Sequence, residues 1–173
     1  MSLPDGDFLL VEEKAAAALM TDVGAGGLLD PAGPALAAVR VADESAADSA
    51  GQADFPLALV RVRGKKEEPL TPARAALKTF SVRVSLFDRG GDRGTVEASV
   101  RRTAGRVEQV VREQNRADKQ LLGLADLIED GEGVLFTCLS ETVFPETVGR
   151  AGQLLARARV DFLVQVPCAF IYE

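Results

Sequence analysis

The apolar and polar positions near the end of the chain alternate with a period of two over eleven residues. Between Ala156 and Val166 the even-numbered positions are apolar, and charged or amide side chains occupy most of the odd-numbered ones. This pattern predicts a strand with one dry face, roughly 36 Å long at about 3.3 Å per residue. Phe80–Leu86 alternates in the same way. We therefore expect two long strands, each of which buries one face.

Two stretches have apolar residues at helical spacing. Asp5 is a suitable N-cap residue for a first helix, which should end near Gly24. A second helix, Thr95–Gln114, lies between the two long strands and carries acidic residues four positions before arginines, an order that favours helices. The predicted apolar stripes are Phe8, Val11, Ala15, Ala18 and Leu19 in the first helix and Val96, Val100, Ala104, Val107 and Val111 in the second.

Each long strand has a predicted partner. Leu57–Arg63 alternates, and Gly64–Pro72 would connect it to the strand at Lys78–Phe87 as a hairpin with a charged tip. Val134–Phe144 is apolar enough to form a strand beside the final one. The leucine-rich residues 121–128 favour a short helical turn on the sheet.

The remaining stretch, residues 24–54, is rich in Gly, Pro, Ala, Asp and Ser. It predicts a long, partly disordered loop containing one short strand within Leu36–Val41. The whole chain, residues 1–173, then forms one α+β domain. Its single, mainly antiparallel sheet of about four to five strands packs against two helices, in the order helix, hairpin, helix, hairpin.

The amino-acid composition limits the kinds of partner that the chain is expected to bind. The net charge of −6 argues against a surface that binds nucleic acid, because such surfaces cluster lysine and arginine. The negative net charge is compatible with a protein past which DNA slides. No apolar run reaches the roughly 18 residues of a membrane span, so we expect a soluble, cytoplasmic protein without membrane contact.

The sequence offers little for catalysis. It contains no histidine, the commonest general acid–base group and a frequent metal ligand. The glycines at positions 24, 26 and 27 lack the spacing of a phosphate-binding loop. Cys138 and Cys168 lie in apolar, strand-like contexts, which predicts buried free thiols. We expect no enzymatic activity, no cofactor and no metal.

Two groups of residues are candidates for a partner interface. The first is the compact basic cluster Arg61, Arg63, Lys65 and Lys66, placed near the tip of the predicted first hairpin. Because Glu67 follows it directly, the cluster is either a solvated loop or a docking surface for an acidic partner.

The second group lies on the polar side of the final strand. Leu155 and Leu163 occur there among Arg157 and Arg159. A sheet with one wet face would place few leucines at such positions, so either a helix or another subunit should cover part of this face. Similar positions on other strands hold Leu57, Leu59, Leu135 and Leu139.

The order of these elements resembles tail terminator and tail completion proteins of long-tailed bacteriophages, which are minor tail proteins. The resemblance covers about residues 55–173 and has no catalytic motif to match. It depends on a leading helix and on the following elements: the proline-started strand Pro56–Arg63, the longer strand Thr79–Phe87 with Asp88 and a glycine-rich turn after it, the helix Thr95–Gln114, and a terminal hairpin closing on Arg157–Val166.

The resemblance implies a small α+β subunit that forms a homo-oligomeric ring, typically a hexamer, in the tail of a phage or prophage virion. Such a ring caps the tail tube and joins it to the head, so tail-tube and head-completion proteins are the implied partners. DNA passes through the ring without specific binding. The alternative is a small ligand-binding or regulatory α+β domain that acts as a monomer or dimer.

Overall fold

The computed structural model describes residues 7–71, 75–116, 119, 136–150 and 152–169. The described residues form three α-helices and six strands, and a short 3-10 helix at Gln52–Asp54 follows the second helix. The elements are α1 (Asp7–Met20), β1 (Ala38–Val41), α2 (Ala46–Ser49), β2 (Leu57–Thr71), β3 (Ala75–Gly90), α3 (Arg93–Glu113), β4 (Phe136–Val143), β5 (Val148–Arg150) and β6 (Gln153–Ala169).

The strands form one sheet in the order β1-β2-β3-β6-β4, and β5 pairs with the beginning of β6. The pairs β2–β3, β3–β6 and β6–β4 are antiparallel, whereas β1 runs parallel to β2. The α+β class is confirmed. The predicted four to five strands are too few, because six are present in the described residues. The strand that was not predicted, β5, has three residues and is too short to give a periodic signal.

The central strands extend further than the alternation indicated. β2 continues to Thr71, so most of the predicted connection Gly64–Pro72 is strand. Lys65 and Lys66 pair in register with Phe80 and Thr79 of β3. The sequence pattern does not reveal this part of β2, because its residues are mostly charged and supply no alternating apolar positions.

One face of the sheet is dry, as predicted for the two long strands. Alternate residues of β2, β3 and β6 are buried in a single cluster with α1 and α3. The predicted stripe of α3 is buried throughout, and Val11, Ala15 and Leu19 of α1 are buried as well, whereas Phe8 is exposed. The sheet residues in the cluster are Ala58, Val60, Phe80, Val82, Val84, Leu86, Ala156, Ala158, Val160, Phe162, Val164 and Val166.

A buried carboxylate joins α1 to β2. β1 ends at Val41, whose partner is Val60, so the Val62 amide lies beyond the pairing of β2 with β1. It donates instead to the Glu12 side chain at 2.8 Å. Glu12 is buried because this bond and the nearby Arg61, whose Nε lies 3.6 Å from the carboxylate, replace its hydration.

Residues 24–54 contain the predicted short strand as β1, and also α2 and the 3-10 helix. Leu28 and Leu36 from this segment are buried in the core. The amides of Gly26 and Leu28 each donate at 2.8 Å to the carboxylates of Asp30 and Asp22, respectively. Gly27 leaves no room for a side chain, because a Cβ there would lie 2.5 Å from the Asp22 carbonyl oxygen.

The Asp22 side chain links residues 24–54 to α3, because it bonds to groups of both. Its carboxylate accepts from Nε of Arg106 at 2.7 Å and from Nη2 of the same guanidinium, and its side chain is only 10% exposed. The hydrogen bond from Arg106 lowers the pKa of Asp22, against the opposing effect of burial, and the Leu28 amide lowers it further. The ionised carboxylate therefore stabilises the folded state.

We expect Asp22→Asn to lower the free energy of unfolding by about 1–2 kcal/mol at pH 7, because it removes a charge-assisted, two-point bond. Since the folded pKa lies below the ordinary value of 3.8, the wild-type advantage should be complete above that pH and disappear as the pH falls through the folded pKa. Urea unfolding at a series of pH values from 7 downward through the acid range measures both effects. Glu13→Gln, at an exposed carboxylate of α1, is the control; equal stability of Asp22→Asn and wild type at pH 7 contradicts the assignment.

Candidate functional site

The side of the sheet opposite α1 and α3 is termed the second face. It carries both leucines and charged residues, as the sequence indicated. Residues that pair in register across β2, β3 and β6 form rows on this face that mix apolar and charged side chains. The rows are Leu57 with Phe87 and Arg157, Leu59 with Ser85 and Arg159, and Arg61 with Arg83 and Asp161.

A helix covers one part of the second face. Ala47 and Ala50, in and directly after α2, pack with Phe55 on Leu57, Leu59 and Phe87, and all six are buried. Leu155 is partly buried against this cluster. Of the two explanations for the leucines, the covering helix is therefore confirmed for Leu57 and Leu59.

Arg159 participates in the attachment of this segment. Its guanidinium donates to both carboxylate oxygens of Glu44 at 2.8 and 2.6 Å, and Ser85 Oγ donates to the same carboxylate at 3.0 Å. Burial raises the pKa of Glu44, but the hydrogen bonds from Arg159 and Ser85 outweigh it, so the pKa lies below its ordinary value. Arg159 is thus committed to an intramolecular bond.

A second bidentate pair lies beside the first on the same face. Arg83 donates to Asp161 at 2.8 and 2.7 Å, and the bond raises the pKa of the arginine. These two pairs separate the part of the second face that α2 covers from the part beyond it. Their partners are far apart in sequence, so no local pattern could indicate them.

The rest of the second face carries Leu163 as its central apolar side chain. It is half-buried and lies in register between Ser81 of β3 and Cys138 of β4, both exposed. The predicted burial of Cys138 is wrong, because its side chain faces this open region.

Exposed apolar side chains continue along β4 and the segment after it. Phe136, Val143, Phe144 and Val148 are between 39% and 53% exposed. The other large exposed apolar residues among those described are at or near the ends of α1. The edge of the sheet at β4 and β5 is therefore its more apolar edge.

Leu139 does not belong to the second face, contrary to the sequence pattern. It pairs in register with Phe162 and packs on the dry face, and the pairing of β4 with β6 shifts between Leu139 and Glu141. This bulge lets Glu141 and Val143 share the second face with Cys138, whereas in a regular strand positions 138 and 141 would lie on opposite faces.

The predicted basic cluster is dispersed in the structure. Lys65 and Lys66 lie within β2 and form ion pairs with Glu67 and Glu68, respectively, and Arg61 lies near Glu12. The Lys65 ammonium is also 5.5 Å from the centre of the Phe8 ring. Arg63 is exposed on the same strand. Intramolecular acidic partners thus balance most of the cluster.

Arg157 lies in a different environment from Arg159. β4 pairs with residues 159–165 of β6 and β5 with residues 153–155, which leaves residues 156–158 between the two short strands. A cavity of about 150 Å³ lies at this gap. Arg93, Arg101 and Arg157 line it, together with Glu97 and Glu146 and with apolar side chains of α3 and β6.

The hydrogen bonds at the cavity leave the Arg157 side chain without an acceptor for Nε, although that atom is buried. Thr147 donates to Glu97 at 2.7 Å, and Arg101 stacks on Phe144 with its guanidinium carbon 4.9 Å from the ring centre. A buried N–H without an acceptor costs about 1–3 kcal/mol. The sequence indicated Arg157 as an interface candidate but not Arg93 or Arg101.

Four expected features lie outside the described residues: the N-cap residue Asp5, the helical turn at 121–128, the side chain of Leu135 and the thiol of Cys168. Among the residues that the structure describes, no group of three or more Cys, Asp and Glu side chains is placed to hold a metal ion. None of the described helices is long and apolar enough to cross a membrane.

We expect Glu44→Gln to release the α2 segment from the second face, because it removes the charge that Arg159 and Ser85 share. Amide exchange at Ala47 and Asp48, whose N–H groups bond within the α2 turn, should accelerate by a factor of roughly 5–30, as a loss of about 1–2 kcal/mol implies. Asp161→Asn breaks a similar pair without touching α2 and is the matched control. Unchanged exchange in Glu44→Gln contradicts the assignment.

No family model matches the sequence, and no curated protein matches it. Among solved structures, a chain described as "Virion of native gene transfer agent (GTA) particle" is 13% identical, and the alignment covers 96% of this chain and 99% of that one. The TM-score is 0.46, which does not establish a shared fold.

Proposed function

We propose that the chain is a structural assembly subunit of a phage or prophage tail that forms a ring with copies of itself, as a tail terminator or head–tail joining protein does. The observation that carries this proposal is the open part of the second face, with Leu163 at its centre and the exposed apolar row of β4 at its edge. An apolar region at a sheet edge favours association with another protein surface.

The shape of the sheet suits a closed ring. A ring needs two different surfaces on one subunit, because each copy contacts its neighbours head to tail. The sheet ends in the short strand β1 on one side and in β4 and β5 on the other. Two unlike edges satisfy this requirement, and an acidic chain of net charge −6 suits a channel through which DNA slides.

The function is tested by measuring the mass of the full chain in solution over a wide concentration range, with electron microscopy of the particles. A hexamer would have a mass of about 110 kDa, from six copies of the 18.3 kDa chain. A chain that stays monomeric at every concentration, and also when mixed with a tail-tube protein, would count decisively against the assembly function.

We expect Leu163→Asp to weaken association by about tenfold or more while the monomer stays folded. The substitution places a charge in the open region, where Ser81 and Cys138 are exposed on either side. Analytical ultracentrifugation measures association, and circular dichroism with thermal melting measures folding.

Val23→Asp is the matched control, because it makes the same kind of change at an exposed residue just after α1. It should leave association unchanged. An unfolded Leu163→Asp monomer would show that Leu163 belongs to the core. A folded variant that associates as wild type does would exclude the second face as the contact.

A further inference from the structure

The side chain of Arg157 differs from the neighbouring arginines of the sheet, because no described residue binds it. Arg83 and Arg159 each hold a carboxylate with Nε and Nη2, at distances between 2.6 and 2.8 Å. Arg157 forms no side-chain hydrogen bond or ion pair with the residues that the structure describes, and its buried Nε lacks an acceptor. A guanidinium in this state gains free energy from a carboxylate that reaches it.

The charges around the cavity favour a negatively charged ligand. Its charged lining residues are Arg93, Arg101, Arg157, Glu97 and Glu146. Three arginines against two glutamates leave one positive charge in excess, in a chain whose net charge is −6. Glu97 is already engaged, because it accepts from Thr147 at 2.7 Å and lies 3.9 Å from Nη1 of Arg93. Arg101 and Arg157 are therefore the arginines left for a ligand.

Arg101 is held by an aromatic ring and not by a carboxylate. Its guanidinium carbon lies 4.9 Å from the centre of the Phe144 ring, and it forms no ion pair with the described residues. A ring stacked on a guanidinium covers only its flat side, so the N–H groups at the rim remain able to donate. Phe144 and Val100 also make the cavity partly apolar, which strengthens a charge-assisted bond there.

The cavity suits a carboxylate in size and in charge. Its volume of about 150 Å³ equals that of about five water molecules, at roughly 30 Å³ each, so a carboxylate fits with water beside it. A single negative charge matches the excess of one positive charge, whereas a phosphate dianion exceeds it. The side-on bond through Nε and Nη2 that Arg83 and Arg159 form is likewise a bond to a carboxylate.

We propose that the cavity between β4 and β5 binds a carboxylate group through Arg157 and Arg101. A rotation of the Arg157 side chain brings its N–H groups to the ligand, because Nε is buried against the protein as it stands. The carboxylate belongs either to a small free acid or to an acidic side chain of another protein, and the two share this chemistry. The site goes beyond the proposed ring, because binding is measured on the chain whatever its oligomeric state.

Binding is tested by ligand-observed NMR of the full chain, with acetate as the probe and chloride keeping the ionic strength constant. Acetate should bind the wild type saturably. Arg157→Gln and Arg101→Gln should each weaken binding by about tenfold, as the loss of a charge-assisted bond implies. Arg102→Gln, at the next exposed position of α3 and outside the cavity lining, is the matched control and should leave binding unchanged.

Glu146→Gln should change the affinity in the opposite direction. Glu146 is exposed at the cavity, so its carboxylate repels the ligand and competes with it for the arginines. Its removal should tighten acetate binding by roughly twofold to fivefold. Circular dichroism with thermal melting checks that each variant is folded. If Arg157→Gln is not, Arg101→Gln decides, because Arg101 is exposed.

A competition series identifies the source of the carboxylate. The competitors are succinate, inorganic phosphate, a blocked tripeptide with one aspartate between two glycines, and the same peptide with asparagine. Stronger displacement of acetate by the aspartate peptide than by succinate supports a protein side chain, provided that the asparagine peptide does not compete. The reverse order supports a small free acid.

Three results would overturn the proposal. Acetate binding that does not saturate, or that both arginine variants retain at wild-type affinity, shows that the cavity is not the site. Phosphate that displaces acetate at a lower concentration than either carboxylate competitor shows that the site is not specific for carboxylates. Because none of these results involves the mass of the chain, the ring proposal stands or fails separately.

Discussion

The dry face shared by β2, β3 and β6 is the constraint on which the rest of the structure depends. Its burial requires α1 and α3 on one side, because the alternating apolar side chains contribute about 25 cal/mol per Å² removed from water. The 17 residues of β6 extend roughly 56 Å, whereas the 21 residues of α3 extend about 32 Å. One helix cannot cover such strands, so other segments must contribute.

The alternation in the sequence was sufficient to predict this face, and apolar residues at helical spacing were sufficient to predict both helices that pack on it. Val160 and Phe162 are buried and Asp161 is not, as a period of two requires. The cover of the second face could not be predicted in the same way. α2 has only four residues, and a single helical turn shows no helical periodicity. Its attachment depends on Glu44, 115 residues from Arg159.

The residues of the candidate interface were also predicted only in part from the sequence. The sequence correctly placed Leu163 and Arg159 on the polar side of β6, because alternation fixes which side a residue faces. It treated Arg157 and Arg159 as equivalent, since they are two positions apart on one strand. In the structure they differ: Arg159 pairs in register with β4, whereas Arg157 lies in the part of β6 between the residues that pair with β5 and those that pair with β4. The break in pairing, which no residue pattern marks, gives Arg157 its cavity.

The pairing of β3 with β6 has a consequence for how the chain is made. Gly90 pairs with Leu154 and Ala75 with Ala169, which are separations of 64 and 94 residues. At roughly 5–20 residues per second, the ribosome needs several seconds to deliver β6 after β3 has emerged. During that interval the edge of β3 that pairs with β6 has no partner. The nascent chain therefore passes through a stage, before the subunit can assemble, in which β3 is prone to pair with the wrong strand.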